Sequence, residues 1–420
     1  MKILVVGSGG REHALVWKIS QSKRVKKIFA APGNPGMRDL AEIVDIKAAN
    51  IIELADFAKS EGIDLTVVGS EQPLALGIVD EFVHRNLRIF GPTQKAATIE
   101  TSKAFAKEFM RKNNIPTADF SIFTSYGEAL AFLAKAIFPL VVKADGLAAG
   151  KGVYICKSKD EAQVAIQEVM LEGKFGKSGD KIVVEEFLTG EEMSFMVVAD
   201  GRRALPLVSS MDYKRALEGN RGPNTGGMGA ISPAPQISRG LFITIMKTII
   251  QPTLEGMRFE SKEFKGLLYV GLMITRDGPR VLEYNARPGD PETQTVLMRL
   301  KGDLVDLMEA SIDENLYDVA MEWEEKASGC VVLAAKGYPG KYESGKQIKG
   351  LERAKSLGVE IFHAGTALER NHLVTAGGRV LNICASAATL EEAMKRIYDA
   401  VSFVSYDNIF YRRDIGLEKK

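Results

Sequence analysis

Cysteine, histidine and tryptophan are scarce in this chain, at three, four and two among 420 residues. Cys156, Cys330 and Cys384 are odd in number, far apart and never part of a Cys-x-x-Cys pair. Neither a disulfide framework nor a zinc site is expected, and a reducing cytoplasm fits. Net charge is almost absent: 55 basic against 54 acidic residues leave +1, which gives no field for holding a polyanion such as DNA. No nucleic-acid partner is expected. Long apolar runs are missing as well. The opening Met-Lys-Ile-Leu-Val-Val enters a glycine turn too early for a signal peptide, and no stretch approaches a membrane span, so no membrane partner is expected. What remains is ordinary globular composition, 45% hydrophobic and 26% charged, over a length that fits two to four domains.

The first hundred residues alternate apolar runs with helical periodicity: KILVV, a helix from about Arg11 to Ser20, KKIFAAPGN, a helix near Ile51 to Ser60, DLTVVGS, a helix, then LRIFGPT. Such alternation predicts a doubly wound parallel sheet with ligands at the carboxyl ends of its strands. TSKAFAKEFMRKNNIP reads as a helix capped by Ser102 and stopped before Pro116. A small α+β block follows, then strands MSFMVVAD and ALPLVSS, a long glycine-rich loop, and the strand pair LLYVGLMIT and RVLEYNA. The expected division is 1–101, a discontinuous main unit of 102–122 and 190–327, an inserted small unit of 123–189, and a β-rich end of 328–420.

Four motifs carry chemistry. LVVKADGLAAGKGV, residues 140–153, sets Lys143 in an apolar strand before a glycine-rich turn. It resembles a P-loop but fails the test: three residues separate Gly146 from Gly150, Gly152 stands where a magnesium-binding hydroxyl belongs, and another strand follows. Phosphates here would lie under a hairpin flap. GSGGREHAL, residues 7–15, has two glycines of a dinucleotide fingerprint but Glu12 in the third place. Its helix-start amides suit a lone phosphate, with a purely structural turn as the alternative; His13 reads as packed. GNPG at Gly33 and GSEQPL at Gly69 end strands on the same rim. The segment from Met211, MDYKRALEGNRGPNTGGMGAISP, offers cations and consecutive amides that form anion-binding concavities. VLEYNARPGDPETQ, residues 281–294, puts Glu283 and Asn285 on one strand face as oxygen ligands for a hard cation, with Arg287 continuing that face.

Taken in order, these motifs and VVEEFLTGEEMSF resemble the ATP-grasp enzymes, and within them the family that ligates glycine to 5-phosphoribosylamine. The resemblance covers essentially the whole chain and implies a pre-ATP-grasp sheet, a two-part ATP-grasp fold and a small C-terminal cap. It implies ATP as co-substrate with Mg2+ or Mn2+ on Glu283 and Asn285. ATP contacts then fall on Lys103, Lys143, the flap residues Ala149, Gly150, Lys151 and Gly152, and Glu185, Glu186, Phe187, Leu188 and Glu192. Arg287, Lys143 and Asp290 are the implied catalytic groups. Substrate contacts are implied for Gly9, Gly10, Asn34 and Glu71, which face phosphoribosylamine, and for Asp212, Lys214, Asn224, Thr225, Gly226, Gly227, Arg287, Gly289 and Asp290. The strand before Glu283 lacks the additional acid of many relatives. A cytoplasmic monomer is expected. The nearest alternative is a sibling ATP-grasp ligase that activates bicarbonate or formate.

Overall fold

The computed structural model describes residues 1–148, 151–235 and 237–417. Its first sheet is five-stranded and wholly parallel, in the order Glu42–Ile43, Lys27–Pro32, Lys2–Gly7, Leu65–Val68, Ile89–Phe90. Alternate residues of the central strand serve opposite faces. Leu4 and Val6 pack with Leu54, Ala55 and Ala58 of helix Ile51–Glu61, while Ile3 and Val5 pack with Ala14, Leu15 and Ile19 of helix Gly10–Ile19. Strand order reverses between Lys2–Gly7 and Leu65–Val68, so a crevice opens outside their carboxyl ends. The turns at that crevice carry Gly9 and Glu71.

Helix Lys103–Lys112 leaves this sheet with Ser102 as its cap, as the sequence predicts; the Phe105 N–H donates to Ser102 Oγ at 3.1 Å. The Asp145 carboxylate accepts from the Ala104 N–H at 2.6 Å, tying the helix start to the next sheet. That sheet is four-stranded and antiparallel: Phe120–Phe123, Ile182–Glu186, Leu140–Ala144, Val153–Cys156. Its outer face packs under helices Tyr126–Leu133 and Lys159–Met170. A second antiparallel sheet, Ala204–Pro206, Glu191–Asp200, Lys265–Thr275, Gly278–Asn285, lies opposite.

The long loop expected over residues 211–233 is corrected by the structure. Arg215–Leu217 and Arg221–Asn224 pair as a hairpin, and Met211–Asp212 and Gly229–Ser232 enter the C-terminal six-stranded sheet through Ala327–Ala335. The glycines concealed the strands, and Gly229–Ser232 pairs with residues about a hundred positions away, which a local pattern does not register. Arg412, 2% exposed, locks the hairpin down: it donates to the Arg215 carbonyl at 3.0 Å and pairs with Asp414 at 2.8 Å. Among the described residues, no helix is long and apolar enough to cross a membrane.

His13 is buried, as predicted, and joins the first sheet's helix to the C-terminal sheet. Its Nδ1 accepts the His363 backbone N–H at 2.9 Å, which requires a neutral ring, and its face meets Phe362 at 5.5 Å. Burial, followed by the charges of His363 and Lys355, lowers His13 from 6.5 to about 3; burial also lowers His363 to about 4. Below pH 6.5 the unfolded chain takes up protons that the folded one refuses, so stability falls as pH drops from 6.5 toward 4. Urea denaturation at pH 7 and 4.5 should show a loss approaching roughly 1 kcal/mol per pH unit per histidine, and His13→Gln should lessen it.

Candidate active site

The two antiparallel sheets and the crevice of the first enclose a cleft of about 480 Å³. Strand alternation explains the lysine inside LVVKAD. Leu140, Val142 and Ala144 face the small sheet's helices, so Lys143 and Val141 face the cleft. By the same alternation Ile182 and Val184 are core, and Glu185 faces Lys143. Glu185 Oε2 lies 2.9 Å from Lys143 Nζ and 3.0 Å from Lys107 Nζ, with Glu185 and Lys107 side chains only 2% exposed. Lys143 also donates to the Leu282 carbonyl at 3.0 Å, so its ammonium spans from one sheet to the other. Burial, partly offset by Glu185, pushes Lys107 down to about 8. Lys103 donates to the Gly146 carbonyl at 3.1 Å.

Glu283 and Asn285 stand on the opposite wall, two residues apart on Gly278–Asn285. Burial would raise Glu283, but Lys214, Lys143, Lys103 and Arg287 outweigh it and hold the carboxyl down at about 2. The closest of these in contact, Lys214 Nζ, remains 3.6 Å away, and among the described residues nothing donates a hydrogen bond to Glu283. An ionised carboxylate without a donor, beside an amide oxygen, fits a hard cation. Among the described residues no group of three or more His, Cys, Asp or Glu side chains could hold a metal by itself, so such an ion needs further oxygens from phosphate and water.

Toward the first sheet's crevice the cleft ends in alternating charge. Arg287 Nε lies 3.2 Å from Glu100 and 3.3 Å from Glu71, and Arg11 reaches Glu71 at 3.6 Å. Burial acts on Glu71 in the raising direction, yet Arg287 and Arg11 hold it down at about 2. Asp290 is gripped by Arg379 of the C-terminal sheet at 2.7 Å and by Gln294 Nε2 at 2.8 Å. Arg379 also donates to the Asp290 carbonyl at 2.7 Å, and Tyr338 Oη accepts from the Gly226 N–H at 2.9 Å. The adjoining Gly227 has φ +110°, and a Cβ there would fall 2.4 Å from Pro291 Cδ and 2.7 Å from Asp212 Oδ1, so no side chain fits.

Most of the residues implied by resemblance meet in this one cleft. Lys103, Lys143, Lys151, Gly152, Glu185 to Leu188 and Glu192 line one part. Glu71, Asp212, Lys214, Asn224 to Gly226, Glu283, Asn285, Arg287, Gly289 and Asp290 line the rest. Ala149 and Gly150 lie outside the described residues. Gly9, Gly10, Asn34 and Gly227 are not part of the cleft lining. The Gly9 N–H donates to Glu12 Oε2 at 2.6 Å, and a Cβ on Gly10 would collide with Asn382 Nδ2 at 2.1 Å. Asn34, 5% exposed, spends its amide protons on the Ser8 and His363 carbonyls, at 2.8 and 2.9 Å, and its oxygen on the Gly36 N–H at 3.0 Å. The side chain therefore braces the rim from behind.

Two facing antiparallel sheets with a cleft of buried lysines and carboxylates between them, beside a parallel sheet, define an ATP-grasp ligase. The solved biotin carboxylase of Campylobacter jejuni shares this fold at a TM-score of 0.75, with 14% identity over 97% of this chain and 92% of that one. The particular family follows from closer matches. Family models described as phosphoribosylglycinamide synthetase N domain, ATP-grasp (A) domain and C domain match residues 1–100, 101–293 and 328–418. The phosphoribosylamine–glycine ligase of Halalkalibacterium halodurans is 48% identical over 416 residues, 99% of this chain and 96% of the relative. That of Clostridium acetobutylicum is 46% identical over the full length of both chains. The crystal structure of the Thermotoga maritima enzyme of the same name superposes with a TM-score of 0.84, at 33% identity over 99% of this chain and all of that one. The chain belongs to the phosphoribosylglycinamide synthetase family.

Sequence reasoning missed Arg11, Glu100, Lys107, Tyr269, Tyr338 and Arg379, all of which line the cleft. Lys107 carried a usable signal, since it sits four residues after Lys103 and therefore on the same helix face. Arg379 carried none. Because Lys107 and Glu185 are both buried, Lys107→Met should cost about 3 kcal/mol in urea denaturation. Adding Glu185→Gln should recover part of that loss, and the resulting double-mutant cycle measures the pair.

Proposed function

We propose that this cleft ligates glycine to 5-phosphoribosylamine at the expense of ATP, giving glycinamide ribonucleotide, ADP and phosphate, the second step of de novo purine biosynthesis. The observation that carries the reading is that Lys143 on one sheet faces Glu283, whose carboxylate receives no hydrogen bond among the described residues, and Asn285 on the other, inside a chain whose relatives are phosphoribosylamine–glycine ligases. The triphosphate lies against Lys143, Lys103 and the turn that contains Lys151 and Gly152. Glu185 to Leu188 border the adenine, and Glu192 the ribose. Glu283 and Asn285 would hold a magnesium or manganese ion, which when bound neutralises charge growing on the transferred phosphoryl group.

A carboxylate is a poor acyl donor because its leaving group would be oxide. A glycine oxygen therefore attacks the γ-phosphorus, ADP departs, and glycyl phosphate forms. The neutral amine of 5-phosphoribosylamine then adds to the acyl carbon; phosphate leaves with the C–O bonding pair, and the amine loses its extra proton. No protein nucleophile is needed, and the chain's work is alignment and charge compensation by Lys143 and Arg287. Closure of the turn over the phosphates keeps water from the acyl phosphate. Phosphoribosylamine occupies the end bounded by Glu71 and Asp290, with Gly9, Gly10 and Asn34 supporting that rim. On this reading residues 1–101 supply the ribosylamine end, 102–122 with 190–327 the metal wall, 123–189 the small flap domain, and 328–420 the brace on Asp290, in a cytoplasmic monomer.

Lys143→Ala and Glu283→Gln should each remain folded while turnover falls by about 100-fold or more; normal turnover in either would contradict the assignment. Glycine labelled with oxygen-18 in its carboxylate should deliver label to the released phosphate, read by mass spectrometry. Phosphate without label would rule out the acyl phosphate.

A further inference from the structure

We propose that Asp212 and Glu292 form the seat for the ammonium group of glycine, turning its carboxylate toward Glu283 and Arg287. The inference rests on the ligase reading and supplies what that reading leaves open, namely which groups touch the amino acid.

Both carboxylates line the cleft. Asp212 Oδ1 is buried without a hydrogen-bond partner, and among the described residues Asp212 forms no ion pair. Glu292 is 2% exposed; its Oε1 accepts from the Ser194 hydroxyl at 2.8 Å, while Oε2 receives no donor among the described residues. The nearby cations are committed elsewhere. Lys214 points at Glu283 and Glu192, at 3.6 and 3.8 Å, and Arg379 at Asp290. Burial first, and then the charge of Glu292, raises Asp212 well above the usual carboxylate range. Two sequestered acids without a partner cation are costly unless a cation arrives.

Among the three substrates only glycine brings one. ATP is a polyanion, and the ribosylamine has to be neutral to attack. Glycine's ammonium, with three donors, suits acceptors from two carboxylates. Lys214 lies 3.6 Å from Glu283 and its charge also acts on Asp212, so a two-carbon amino acid held at the seat by its ammonium presents its carboxylate toward Lys214 and Glu283. The seat also has a chemical consequence. An ammonium has no lone pair, so bound glycine cannot attack an acyl phosphate, and only the incoming ribosylamine serves as nucleophile.

The test measures KM for each substrate in Asp212→Asn and Glu292→Gln. Glycine KM should rise about 100-fold in the first variant and about tenfold in the second, with KM for ATP unchanged. An unchanged glycine KM, or an equal rise for 5-phosphoribosylamine, would overturn the assignment. Wild-type enzyme gives a second reading that does not depend on a variant folding. Glycolate keeps the carboxylate and replaces the ammonium with a hydroxyl, so it should support ADP release at least about 100-fold less efficiently than glycine; equal efficiency overturns the seat. Absence of glycine-dependent ADP release by the wild type would overturn the ligase reading itself, and the seat with it.

Discussion

One buried carboxylate organises this molecule. Glu185 holds two ammonium groups that would otherwise repel each other, and the second of them, Lys143, reaches across to a backbone carbonyl of the facing sheet. Desolvating three charges is expensive, and the arrangement is tolerable only because each lysine finds an oxygen besides Glu185: Leu282 for Lys143 and Thr117 for Lys107. The distance between the sheets is thereby coupled to the position of the Lys143 ammonium. Tight packing alone would close the gap with apolar side chains and leave no room for a polyphosphate.

The rest of the cleft repeats this logic with the signs alternated. Arg11, Glu71, Arg287 and Glu100 form a chain of opposite charges from the parallel sheet's crevice toward the strand of Glu283 and Asn285. Arg287 and Arg11 keep Glu71 ionised, so that part of the field is fixed before substrate arrives and needs little rearrangement when charge moves. The topology accounts for the place: the crevice lies where strand order reverses, and the residues after Lys2–Gly7 and Leu65–Val68 cannot avoid it.

How much of this could be read beforehand depended on whether the signal was local. The place of Lys143 was implied by the family resemblance, whereas the alternation in VLEYNA told which side chains share a face, so Glu283 and Asn285 were legible from period two. The parallel sheet was legible for the same reason, as was the Ser102 cap. Arg379 and Tyr338 were not, because a lone arginine after two glycines and a tyrosine before a proline have no pattern until folding carries them to Asp290 and Gly226. The 211–233 segment misled because glycine content suggests a loop, whereas its strands borrow their regularity from Ala327–Ala335. Asn34 shows what a local pattern does not carry: on a rim of turns its side chain hydrogen-bonds the backbone around it.

The strands Met211–Asp212 and Gly229–Ser232 have an implication for how the molecule can change over evolutionary time. They belong by sequence to the middle of the chain and by hydrogen bonding to its end, so the two regions share a seam rather than a hinge. The terminal region cannot be exchanged for another cap, or drift in orientation, without dragging Asp212 and Lys214 with it. What looks like a removable lid is instead part of the mould in which the substrate end is cast.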